Sequence, residues 1–120
     1  MSFSHVDLVG RRHTAIVDAD WQPMYVGETR LPGVSVCNLV DVPEHWSSYW
    51  MKMEAGAHSI MHRHSAIEMV VVLQGSIEDC DRRIFQTTEA VVYPAGSIHL
   101  LSSPTGCVLL IVESQPSVVA

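Results

Sequence analysis

The chain has 120 residues, of which 48% are hydrophobic and 17% charged, with a formal net charge of -6. This length and composition predict one ordered globular domain, and they exclude a disordered chain. Only seven residues are Lys or Arg, and no basic run exceeds a pair, which argues against nucleic acid as a partner. No apolar run could span a bilayer, and the first twenty residues lack the apolar core of a signal peptide. We therefore expect a cytoplasmic protein without membrane contact.

Turn-forming Pro and Gly residues recur at short intervals, and the segments between them are rich in Val, Ile, Leu, Tyr and Trp. Helical periodicity is weak, with at most one short turn around residues 41–46. Many short strands at this spacing predict an all-β, antiparallel sandwich or barrel in a single domain. The predicted strands are residues 33–40, 48–54, 67–74, 76–80, 83–87, 90–93, 99–102 and 107–112.

The predicted strand at residues 67–74 is apolar on both faces apart from one carboxylate. Glu68 shares its face with Val70 and Val72, by the two-residue period of a strand. We expect one of the two faces to line the barrel interior and the other to be covered by a second layer or another subunit. This pattern favours a homodimer.

The three cysteines show no CxxC spacing and form an odd set: Cys37, Cys80 and Cys107. We expect them to be reduced and to act as small buried hydrophobes.

Polar residues that can bind metal are concentrated around the predicted strand at residues 67–74. His62 and His64 are two residues apart, so on a strand both rings point the same way. Glu68 can return to that side after a tight turn at residues 65–66, and His99 begins a later strand. Three neutral imidazoles and one carboxylate are enough to hold one divalent first-row ion such as Fe, Mn, Ni, Zn or Cu.

A less specific interpretation makes these four residues polar groups that border apolar strands by accident. It requires buried imidazole and carboxylate groups without partners, which is costly. His58 lies four residues before His62 and is a candidate acid, base or substrate contact, although such residues are more often exposed and without a role.

Two motifs identify the family that the chain resembles. Gly56-x5-His62-x-His64-x3-Glu68-x6-Gly75 matches the first cupin motif at every fixed position. Pro94-x-Gly96-x2-His99 matches the centre of the second motif. The departures are Thr88, where that motif opens with Gly, and Ser103, where it closes with Asn. Further segments, including residues 21–23, 31–39 and 94–114, resemble the ChrR-type cupins.

The resemblance implies a single cupin domain over residues 1–120, a double-stranded β-helix or jelly-roll barrel. N-terminal strands would occupy residues 1–48 and a metal-binding barrel core residues 49–115. It also implies that one divalent transition-metal ion is bound by His62, His64, Glu68 and His99. The chain has no His-x3-Cys-x2-Cys pattern, with which the helical zinc domain of ChrR anti-sigma factors contacts the sigma factor.

Three functions remain open at this point. The first is a metal-dependent enzyme, a dioxygenase acting on a small oxygenated organic molecule, with isomerase or cyclase chemistry as a variant. Glu68 and His58 are its candidate catalytic residues. The second is a non-catalytic module that senses a small ligand, as in the ChrR-type anti-sigma factors. The third is a barrel whose metal only stabilises the fold. The fold class cannot choose between them.

Overall fold

The computed structural model describes residues 9–114, together with the backbone of two short strands at residues 5–6 and 118–119. Almost all regular structure in this part of the chain is β, with one 3-10 turn at Ile16–Asp18. In chain order the strands are β1 (His5–Val6), β2 (Arg12–His13), β3 (Gln22–Val26), β4 (Thr29–Val42), β5 (Trp46–Met53), β6 (Ala57–His58), β7 (His62–Arg63), β8 (Glu68–Glu78), β9 (Ile84–Gln86), β10 (Ala90–Tyr93), β11 (Ile98–His99), β12 (Ser102–Ser103), β13 (Cys107–Glu113) and β14 (Val118–Val119).

A large antiparallel sheet forms the body of the molecule. Its strand order is β3-β4-β5-β13-β8-β12-β6, and β9 and β10 also pair with β8. A smaller sheet, in the order β11-β7-β14, brings the second half of the chain back against the first motif. The predicted all-β, antiparallel fold is therefore confirmed. Among the described residues there is no helix that could cross a membrane.

Most predicted strands are present, with three differences. Residues 76–78 continue β8 instead of forming a strand of their own, and the irregularity in the β8–β13 register lies before Gly75, at Leu73. The predicted strand at residues 99–102 is split between β11 and β12. The prediction missed β3 and the first residues of β4, which pair with each other as a hairpin.

The core lies on one face of the central strands. Val70 and Val72 of β8 are completely buried, as are Leu109 and Ile111 of the neighbouring β13. The opposite face of β8 carries Met69, Val71 and Leu73, which are only half-buried. The face that carries Val70 and Val72 is thus the interior one, whereas the described residues cover the outer face only in part.

Four positions of the cupin-like motifs have left-handed backbone, and Gly75 and Thr88 are the informative ones. Gly75 has φ 76°, and a Cβ there would lie 2.0 Å from the Gly106 carbonyl oxygen, so only glycine fits. Thr88 has φ 78°, which is costly for a β-branched residue. The glycine that the motif expects at residue 88 therefore reflects a real conformational demand. Ser103, the other departure, is fully buried and its hydroxyl donates to the Ser76 carbonyl oxygen at 2.7 Å.

The expectation that all three cysteines are buried is wrong for one of them. Cys37 and Cys107 are buried free thiols, whereas Cys80 is exposed. Cys80 lies in the turn at residues 79–83, where the Asp79 carboxylate accepts a hydrogen bond from its backbone N–H. A polar turn between β8 and β9 has no core side for this thiol to enter.

Candidate metal centre

The four predicted metal ligands meet at the junction of the two sheets. His62 on β7 and His99 on β11 are direct cross-strand partners. His64 follows β7, and its backbone exchanges hydrogen bonds of 2.9 Å with Ser97 and Gly96 of the second motif. These bonds dock the first motif against the second although about thirty residues separate them in the sequence.

Glu68 completes the group as the first residue of β8, after a bend at residues 65–66. One possible ligand atom from each of the four side chains lies within 4.8 Å of the other three. Glu68 Oε1 is 3.5 Å from His64 Nε2 and 3.6 Å from His99 Nε2. The predicted convergence of these four residues is therefore present, and the cluster could hold a metal ion.

Hydrogen bonding orients the His62 imidazole for an ion, and the His99 imidazole has no hydrogen-bond partner in the described part of the chain. His62 Nδ1 lies 2.8 Å from the Ile60 carbonyl oxygen, and a carbonyl can only accept, so Nδ1 carries the hydrogen. The lone pair of His62 Nε2 is then available to a metal. His99 is 2% exposed, and neither ring nitrogen has a hydrogen-bond partner among the described residues. Such a buried polar group fits a site built for an ion.

The pKa shifts of the four residues also favour metal binding. Burial lowers the pKa of His62 and of His99. Burial also lowers the pKa of His64 to about 4, helped by the charges of the two neighbouring histidines. All three rings are therefore neutral near pH 7, which is the form that binds metals. Burial raises the pKa of Glu68 to about 7, so without a nearby cation this carboxylate is poorly stabilised.

An aromatic residue that the sequence analysis did not assign supports two of the ligands. The Tyr93 ring stacks on His99, with 3.9 Å between ring centroids, and more distantly on His64 at 5.5 Å. Its hydroxyl donates to Asp79 Oδ2 at 2.5 Å. Tyr93 therefore fixes the plane of the His99 imidazole, and its place directly before Pro94 is the only sequence signal for that role.

A cavity of about 300 Å³ opens beside the cluster. Three of the four candidate ligands line it: His62, Glu68 and His99. Most of the remaining lining is apolar and comes from β3, β4, β5 and β13. A metal ion held by the cluster would thus face a space large enough for a small organic molecule.

The same cavity contains two polar residues that the sequence analysis missed. Glu113, the last residue of β13, lies directly opposite Glu68 of β8, and both carboxyl groups are buried. Tyr49 of β5 is in hydrogen-bond contact with Glu113. Burial and the neighbouring Glu68 raise the pKa of Glu113 to about 8. A carboxylate at the end of the apolar run at residues 107–112 was the available signal.

His58, the other predicted catalytic residue, is not part of this group. It is exposed on β6, where its Nδ1 lies 2.9 Å from the Ser59 carbonyl oxygen. The residues that line the cavity include Ser59 and Ile60 but not His58. A catalytic role for His58 stays a prediction.

Comparison with known proteins places this architecture in a family. The family model described as the ChrR cupin-like domain matches residues 9–117. The chain belongs to the ChrR cupin-like family. The predicted cupin fold and ChrR-like subgroup are thus confirmed. No curated protein matches the chain.

Solved cupin structures share the fold at low sequence identity. An acetylacetone dioxygenase from Acinetobacter johnsonii is 14% identical, with a TM-score of 0.77 over 98% of this chain and 83% of that one. A complex of Rhodobacter sphaeroides SigE with the anti-sigma ChrR is 18% identical, with a TM-score of 0.70 over 83% of this chain and 51% of that one. A cupin-like protein of unknown function from Ralstonia eutropha is 16% identical, with a TM-score of 0.67 over 73% of this chain and 59% of that one.

The chain therefore spans about half of the length of the ChrR structure and about three-fifths of the length of the Ralstonia eutropha protein. At such identities the similarity concerns the fold alone. A dioxygenase and an anti-sigma factor both occur among the similar structures, so the fold does not choose between catalysis and regulation.

Proposed function

We propose that this cupin binds one divalent first-row transition-metal ion through His62, His64, Glu68 and His99, and that the loaded protein is an enzyme. The proposed reaction is a dioxygenation of a small, uncharged, oxygenated organic molecule. The observation that supports it is the cavity of about 300 Å³ with three of the four ligands in its wall. An ion that only stabilised the fold would not need an adjoining space of this size.

The ion would act as a Lewis acid for the substrate oxygen atoms and as the site at which O2 reacts. The protein supplies the rest. The three histidines set the coordination geometry, and Glu68 offsets one of the two positive charges. Within the Glu68–Glu113 pair a proton can move between adjacent carboxyl oxygens, which gives Glu68 its proposed role in proton transfer. The apolar lining keeps bulk water away from the reacting atoms.

Oxygen consumption tests this function. The protein is purified without oxygen, loaded with Fe(II), Mn(II), Ni(II) or Cu(II), and supplied with small diketones, phenols or hydroxyketones. We expect O2 uptake with at least one pair of metal and substrate, and none after His99→Ala. If no pair consumes O2 above the His99→Ala background, the dioxygenase proposal is wrong.

The second candidate is a ligand-sensing module without catalysis. The match to the ChrR cupin-like family is the specific observation in its favour. In that case the loaded protein would bind small molecules in the same cavity but leave them unchanged. Mass spectrometry of the small molecule after incubation with the loaded protein and O2 separates the two functions.

Two further properties belong to this proposal. The half-buried outer face of β8 and β13 supports a homodimer, in which a second copy covers that face. The composition and the reduced cysteines support a cytoplasmic location, without nucleic acid or membrane as partners.

A further inference from the structure

The cavity has a second polar group opposite the ligand cluster. Glu113 is 8% exposed and lies in the cavity wall, two residues along β13 from Ile111, the cross-strand partner of Tyr49. The Tyr49 hydroxyl interacts with the Glu113 carboxyl, and burial together with this contact raises the pKa of Tyr49. The Glu113–Tyr49 pair therefore forms a fixed polar group in a wall that is otherwise largely apolar.

The charges of the lining limit which molecules can enter. The described residues in the cavity wall include no Lys and no Arg. A substrate carboxylate or phosphate could thus pair only with the bound ion, and an anionic group directed at Glu113 would meet a carboxyl group without a cationic side chain nearby. The volume of about 300 Å³ is at the lower end for small-molecule sites. Both features favour a compact, uncharged molecule.

The hydrogen-bonding capacity of Glu113 narrows the class of candidate substrates further. A carboxyl group has acceptor lone pairs whether or not it carries a proton, so Glu113 can accept a hydrogen bond from a substrate hydroxyl in either form. The nearby hydroxyl, that of Tyr49, interacts with Glu113 itself. A second carbonyl on the substrate has no hydrogen to donate, so it cannot use the acceptor oxygens of Glu113.

We propose that Glu113, held by Tyr49, is a specificity-determining residue that selects hydroxyketones over diketones and over hydroxy acids. The substrate carbonyl oxygen would face the metal cluster, and its hydroxyl would donate to Glu113. This inference rests on the proposed function, because it requires an ion at His62, His64, Glu68 and His99. It goes beyond that function in naming which oxygenated molecules the cavity accepts.

Calorimetric binding under nitrogen tests the selection without turnover. The protein is first titrated with Zn(II), which reports on the metal site alone. The Zn(II)-loaded protein is then titrated with 3-hydroxybutan-2-one, butane-2,3-dione and 2-hydroxypropanoate. We expect the hydroxyketone to bind about tenfold more tightly than the dione, the size of one hydrogen bond to a buried carboxyl group. The hydroxy acid should also bind more weakly than the hydroxyketone.

Variants assign the preference to Glu113. Glu113→Gln should keep Zn(II) binding but reduce the hydroxyketone preference to about unity, because the amide also donates to a carbonyl. Tyr49→Phe removes the hydroxyl that orients Glu113 and should reduce the preference in part, which keeps the test valid if Glu113→Gln does not fold. Glu54→Gln, an exposed carboxylate outside the cavity wall, is the matched control and should leave the preference unchanged.

The results separate this inference from the proposed function. If wild-type protein fails to bind Zn(II), both are wrong. If it binds Zn(II) but the dione or the hydroxy acid binds as tightly as the hydroxyketone, or no hydroxyketone binds, the inference is overturned and the metal site stands. An unchanged preference in Glu113→Gln also overturns it.

Discussion

Glu68 and Glu113 lie opposite each other on β8 and β13, and burial raises the pKa of both carboxyl groups, to about 7 and about 8. Both values lie above the ordinary carboxyl pKa of 4.5. The stability that the protonated forms contribute is therefore complete below pH 4.5 and is lost as pH rises through 7 and 8. The three histidines, whose pKa values are lowered, act in the opposite direction, but only below about pH 6.5.

The metal-free protein should therefore become less stable between pH 6.5 and pH 8. From the two carboxyl shifts we expect a loss of roughly 2 kcal/mol in the free energy of unfolding. Glu113→Gln should remove most of this loss, because a single carboxylate remains. Urea unfolding of chelator-treated protein at a series of pH values measures it. A wild-type stability that is constant or rises across this interval would contradict the prediction.

Tyr93 should affect metal binding through the ring that stacks on His99. Tyr93→Leu removes the stacking surface, and we expect it to weaken Zn(II) binding by about tenfold, as substitutions behind metal-bound histidines commonly do. Tyr93→Phe keeps the ring and loses only the hydrogen bond to Asp79, so its effect should be smaller. Competition against a coloured chelator measures both affinities. Equal affinity in wild-type protein and Tyr93→Leu would show that the stacking does not position His99.

Thr88 should be a site at which stability can be gained. Its φ of 78° strains a β-branched residue, and glycine relieves that strain at a smaller cost in chain entropy. We expect Thr88→Gly to stabilise the protein by about 1 kcal/mol. Thr87→Gly is the contrasting variant and should destabilise it, because the Thr87 hydroxyl donates to the Gly75 carbonyl oxygen at 3.1 Å. Thermal unfolding compares them, and a lower Tm for Thr88→Gly would refute the strain argument.

The proposed homodimer can be tested on the outer face of β10. Val92 is 53% exposed and pairs with Met69 of β8 on that face. Light scattering coupled to size exclusion should give twice the 13.3 kDa chain mass for wild-type protein and the chain mass for Val92→Glu. Val17→Glu, at a residue that is 88% exposed on the 3-10 turn, should leave the mass at that of wild-type protein. A monomeric wild-type protein would rule the homodimer out.

Local patterns in the sequence were enough to predict the fold class and the four candidate metal ligands. Strand period placed Val70 and Val72 on the same face of a strand, and motif spacing predicted that His62 and His99 meet, although they become cross-strand partners only after folding. The Ser65–Ala66 turn was likewise readable from the sequence, because it must return Glu68 to the histidine side.

Side-chain contacts between distant strands could not be predicted from local sequence patterns. Nothing local to Glu113 indicates that it lies opposite Glu68, since that depends on the register of β13 against β8. Tyr93 and Tyr49 look like ordinary core aromatics, and only the folded chain shows which imidazole or carboxyl group each contacts. For His58 a local pattern was misleading. Strand period alone placed it on the ligand face, whereas in the structure β6 pairs with β12 and His58 is exposed.

Metal stoichiometry measured by elemental analysis tests the central claim most directly. Protein purified without oxygen and dialysed against Zn(II) should contain one ion per chain. The His62→Ala/His64→Ala double variant should contain almost none, while His58→Ala should keep the full amount. An unchanged metal content in the double variant, with its fold verified by circular dichroism, would contradict the account.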